Sequence, residues 1–147
     1  MMKKSRHYYL ITILCFFTAV SCNHKDNEAV HIREMVNKAF DQSGRKTTID
    51  TIVVVGNYAL YNWKQDSMAG RALVRKEDNQ WRIWLCGGKG LKEESGLIQA
   101  GLPADTAGML ARQFATAEAS LKKEDIQRYD AFGPNVDMSS MNAHHQH

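Results

Sequence analysis

The sequence predicts an α+β fold: an N-terminal helix, a four-stranded antiparallel β-meander, and C-terminal helices packed on one sheet face. Three observations carry this expectation. Ile32, Met35, Val36, Ala39 and Phe40 recur at helical spacing and make one apolar stripe. Residues 51–86 are rich in β-branched and aromatic residues and are interrupted by the turn signals Gly56-Asn57 and Asp78-Asn79. Ala107, Leu110, Ala111, Phe114, Ala117 and Leu121 return to the helical period behind Pro103, a residue suited to the first helical position.

The chain of 147 residues has room for one domain, and its beginning reads as a targeting segment. Lys3, Lys4 and Arg6 precede a nearly unbroken apolar run from Tyr8 to Val20, followed by Ser21 and Cys22. A basic start, a short apolar run and small residues before a cut describe an export signal over residues 1–21. The run falls short of the ~20 residues that span a bilayer. Ala19, Val20, Ser21 and Cys22 resemble a bacterial lipobox, in which the cysteine is acylated and becomes the mature N-terminus. Residues 22–26 are then a lipidated tether, residues 27–133 the α+β domain, and residues 134–147 a flexible Met/His-rich tail. The expected location is the bacterial cell envelope, with the lipid bilayer as a partner through Cys22. Each buried acyl CH₂ contributes about 0.8 kcal/mol, so several chains hold such a protein firmly.

Removing residues 1–21 takes three of the 19 Lys and Arg and none of the 16 Asp and Glu, leaving a neutral mature chain. A neutral chain lacks the basic excess that nucleic acid demands, and no nucleic-acid partner is expected.

Within the domain, the first helix is expected over residues 27–43 and ends near Gly44. Residues 51–55 and 58–63 form two strands around a type II′ turn at Gly56-Asn57, pairing Val55 with Tyr58, Val54 with Ala59 and Ile52 with Tyr61. After a four-residue loop at 64–67, residues 68–76 form the third strand, and residues 81–86 form the fourth beyond Asp78-Asn79. Symmetric turns place Trp63 opposite Met68, Ala72 opposite Leu85, Val74 opposite Ile83 and Cys86 opposite Arg71. One face then gathers Ile52, Val54, Ala59, Tyr61, Trp63, Met68, Ala72, Val74, Trp81, Ile83 and Leu85, and it is the face expected beneath the long helix. The other carries Arg71, Arg75 and Arg82 among Val53, Leu60, Leu73, Trp84 and Cys86. Short helices are expected at 93–100 and 124–132.

Candidate chemistry is sparse. His31 is the one histidine inside the domain, and no CxxC pair, HExxH or phosphate-binding loop occurs. Gly87, Gly88 and Gly90 read as a flexible strand exit. Catalysis is therefore not expected. Cys86 is left alone once Cys15 and Cys22 are assigned to export. It is a buried small hydrophobe, a reactive thiol, a soft metal ligand or a partner in an intermolecular bond; an adjacent Arg71 would favour its thiolate. The soft-ligand set concentrates in the tail: Met138, Met141, His144, His145 and His147, types that bind copper.

Gly70, Arg71, Ala72, Leu73, Val74 and Arg75, then Trp81, Leu85, Cys86 and Gly87, then Leu91 and Lys92, resemble a family of small exported bacterial proteins. Gln99, Ala100, Gly101, Leu102 and Pro103, with the helix through Ala115, Ala117, Glu118 and Leu121, continue the likeness. The family is the copper uptake system-associated proteins, and the likeness covers roughly residues 48–132. Ala69 stands where the family pattern has glycine. The resemblance implies a role in envelope copper uptake or handling, with membrane copper-import components as partners and a copper ion as cargo. The competing expectation is a protein-interaction module that docks a membrane partner through Arg71, Arg75 and Trp84, exposed together on one sheet face.

Overall fold

The computed structural model describes residues 21–140, with side chains from Asp26 onward. It is an α+β fold of one antiparallel sheet clasped between an N-terminal helix and a group of C-terminal helices. Helix α1 (Ser21–Phe40) leads into strands β1 (Thr48–Val55), β2 (Tyr58–Gln65), β3 (Met68–Glu77) and β4 (Gln80–Gly87). A 3-10 turn (Lys89–Lys92) and helices α2 (Glu94–Gln99), α3 (Ala104–Glu118) and α4 (Lys123–Asp130) follow, and β5 (Val136–Asp137) closes the order β1-β2-β3-β4-β5. The fifth strand is the departure from the expected meander. The segment expected as a tether at residues 22–26 is part of α1.

Turn chemistry sets most of the register. Gly56 takes φ 57°, and Val55, Val54 and Ile52 face Tyr58, Ala59 and Tyr61. Asp78 and Asn79 both adopt positive φ, as a type I′ turn requires. Two expectations fail locally. Strand β2 runs on to Gln65, so Asp66 and Ser67 alone make the next turn and Trp63 faces Gly70 instead of Met68. That offset is two residues, so no side chain changes face.

The second failure matters more. Val74 faces Ile83, but Leu73 faces Leu85 and Ala72 faces Cys86, so β4 holds one extra residue at Trp84. Beyond this bulge every side chain of β4 changes sides. Leu85 leaves the first face and Cys86 joins it; Arg71 faces Gly87, not Cys86.

Both faces of the sheet are buried. Ile32 and Val36 of α1 cover Val54, Ala59, Tyr61, Ala72, Val74, Trp81, Ile83 and Cys86. The long helix α3 covers the opposite face, where Ala107, Leu110 and Phe114 meet Val55, Leu60 and Leu73 with Leu91, Leu97 and Leu102. The expected placement of that helix on the first face is thus reversed. Small residues on α3 allow it to lie close to the sheet. Glu28 fastens α1: its carboxylate accepts from Lys76 Nζ at 2.7 Å and from Trp81 Nε1 at 2.5 Å.

The chain after α4 crosses the end of the sheet. Phe132 packs edge-on to Trp63, with ring centroids 5.5 Å apart, and lies against Gly70. A Cβ at Gly88 would sit 2.2 Å from the Phe132 carbonyl oxygen. The glycines expected as a flexible strand exit therefore leave space for this crossing segment: Gly87 and Gly88 are buried.

Candidate functional site

Strand β3 carries Arg71 onto the face covered by α3, where the side chain is wholly buried. Its Nε and Nη2 donate to Glu118 Oε1 at 2.8 and 2.5 Å, and Asn62 Nδ2 donates to the same oxygen at 2.8 Å. Arg71 Nη1 lies 2.8 Å from Asp130 Oδ1, an ion pair whose angle falls short of a directed hydrogen bond. Lys92, from the 3-10 turn, reaches the Asp130 carboxylate at 2.8 and 3.0 Å and stands 3.7 Å from Glu118 Oε2. The guanidinium also lies over the Tyr129 ring, 5.8 Å from its centroid. Two cations balance two carboxylates, which removes the uncompensated charge that burial would penalise most.

Burial alone would raise the Asp130 pKa. The Lys92 hydrogen bond and the adjacent Arg71 guanidinium outweigh it and hold the carboxyl below its ordinary range. Around Tyr129 this centre joins a second group. The Tyr129 hydroxyl donates to Asp50 Oδ2, and Lys64 Nζ bridges Asp50 at 2.7 Å and Asp125 at 3.3 Å. Asp50 is likewise pushed up by burial but held down, net, by Lys64 and Tyr129. Burial and the Asp50 carboxylate raise Tyr129, which stays a neutral donor. Helix α4 is locked to β1, β2 and β3 by these contacts. Asn62 Oδ1 and Trp63 Nε1 are buried without a hydrogen-bond partner among the described residues.

Sequence reasoning placed Arg71 on an exposed docking face with Arg75 and Trp84. The structure corrects this, because α3 covers that part of the sheet and Glu118 claims the guanidinium. A signal was present: Glu118 follows Phe114 by four and extends the stripe Ala107, Ala111, Phe114 onto the buried side. Arg75 and Trp84 do come together, with the guanidinium 4.2 Å from the indole centroid, and both are partly exposed. Glu77 pairs with this edge, lying 2.5 Å from Arg75 Nε and 3.5 Å from Arg82 Nε.

Cys86 is buried in the cluster beneath α1, and burial pushes its thiol up to about 12. With Arg71 turned to the other face, the expected stabilisation of a thiolate is missing. Met138 also packs against that cluster, and its backbone N–H donates to the Trp84 carbonyl at 2.8 Å. The tail expected to be flexible from residue 134 is thus in place through residue 138. Met141, His144, His145 and His147, the Cys22 side chain and the signal at residues 1–20 lie outside the described residues. Among the described residues, no three His, Cys, Asp or Glu side chains are grouped to hold a metal, and no helix is long and apolar enough to cross a membrane.

No protein-family model, curated protein or solved structure matches this chain.

Proposed function

We propose that the chain is a lipid-anchored envelope protein that captures copper as cargo through its Met/His tail and passes it to membrane copper-import components, without catalysing a reaction. The observation that carries this reading is the spacing of Met138, Met141, His144, His145 and His147 on a segment whose root is fastened to the sheet. Thioether sulfur suits Cu(I), and imidazole accepts both oxidation states. A tail pinned at Met138 has fewer residues left to order than one free from residue 134, so less conformational entropy opposes capture. Cys86 is a poor second station, because its burial beneath α1 disfavours the thiolate that would bind a metal.

The test is a Cu(I) titration of the mature protein against a version ending at Ser140. That version keeps β5 and Met138 but lacks Met141 and the three tail histidines. Clearly weaker binding by the shortened form is expected. Equal affinities would remove the tail from the mechanism.

The stacked, partly exposed pair Arg75 and Trp84 favours a second reading, a docking patch for a membrane protein. Under it, Arg75→Glu abolishes capture of the partner while copper affinity is unchanged; retained capture would exclude it.

A further inference from the structure

Helix α1 is oriented along the sheet from one end to the other. Turns Gly56-Asn57 and Asp78-Asn79 lie at one pole of the strands, and Asp66-Ser67 with the Gln42–Arg45 turn lies at the other. Helix α1 starts at the first pole, since Glu28 holds Lys76 and Trp81 beside the Asp78-Asn79 turn. It finishes at the second, where Gln65 Nε2 donates to the Phe40 carbonyl. At 1.5 Å per residue, Cys22 stands only about 9 Å of helix beyond Glu28.

We propose that the pole bearing Gly56-Asn57 and Asp78-Asn79 faces the phospholipid surface. The inference rests on acylation of Cys22 and deepens the function proposed above. Because α1 continues to the acylated residue without an intervening loop, the anchor sets the orientation of the domain as well as its location.

The test uses full-length, acylated protein in liposomes carrying acceptor-labelled headgroups. A donor dye is placed at Asn57→Cys or Gln80→Cys on one pole and at Ser43→Cys or Ser67→Cys on the other, all exposed positions. Energy transfer to the bilayer is expected to be several-fold greater from Asn57→Cys and Gln80→Cys. Equal transfer, or the reverse order, in protein whose Cys22 carries acyl mass would overturn the orientation alone. Absence of acyl mass on Cys22 would overturn the orientation together with the lipid-anchor reading beneath it.

Discussion

Arg71 directs two donors onto a single oxygen of Glu118 across 47 residues of sequence, joining the middle of the sheet to the end of α3. The pair is enclosed on all sides, so neither charge has water to fall back on when the other is removed. Glu118→Ala leaves the guanidinium with only Asp130 and is expected to cost about 3–5 kcal/mol. Arg71→Met alone should cost a similar amount. The double variant Arg71→Met with Glu118→Leu should recover much of that loss, because an apolar pair avoids desolvating charge. Urea denaturation of the three variants measures this, and additive losses in the double variant would contradict it.

Cys86 gives a sharper chemical expectation. A thiol buried beneath α1 and raised to about 12 is neutral at physiological pH and inert to thiol reagents. A disulfide reagent should modify Cys86 slowly in the native protein, at the rate of unfolding, and rapidly once denaturant is added. Fast labelling of the native form would show an open site at Cys86.

Acid should loosen the attachment of α4. Asp50 and Asp130 both titrate below their ordinary value of 3.8 in the folded protein. The unfolded chain therefore binds more protons in this range, and stability rises with pH there. Their contribution is complete above the unfolded value and is lost as pH falls through the folded values. Asp130→Asn should be less stable than the parent near neutrality and lose less stability on acidification. Thermal melts across the acid range would show it; parallel pH profiles would not agree with this assignment.

Space at the sheet end distinguishes two nearby glycines. Gly88→Ala sets a methyl 2.2 Å from the Phe132 carbonyl oxygen, and the backbone there has to move. Overpacking of this kind costs about 1–3 kcal/mol. Gly90→Ala meets nothing within 4 Å and should be close to neutral. Comparing their melting temperatures tests whether the crossing segment, and not strand flexibility, selects glycine at position 88.

Much of this architecture can be read from local chemistry. Gly56, Asp78 and Asn79 specify their turns through backbone conformations that few residues tolerate, and pairing follows directly. The extra residue at Trp84 has no such marker. A bulge is decided by which side chains fill which cavity, here Cys86 under α1 and Leu85 toward α3, and that is a property of the assembled layers. The same limit explains Arg71. An arginine among apolar neighbours reads as a surface residue until Glu118, Asp130 and Lys92 are brought to it from three separate segments. The short strand at Val136–Asp137 carries too few residues for any periodicity to register.

That strand has a consequence for self-association. The outer edge of β4 offers unpaired backbone groups beside an apolar face, a template for another chain. Val136 and Asp137 occupy part of it with the molecule's own C-terminal segment, and Phe132 braces the approach. Cutting the chain at Gly133 would remove this guard and leave the edge open to strand exchange. Versions ending at Gly133 should associate more strongly than those that retain Ser140, as sizing by chromatography would show.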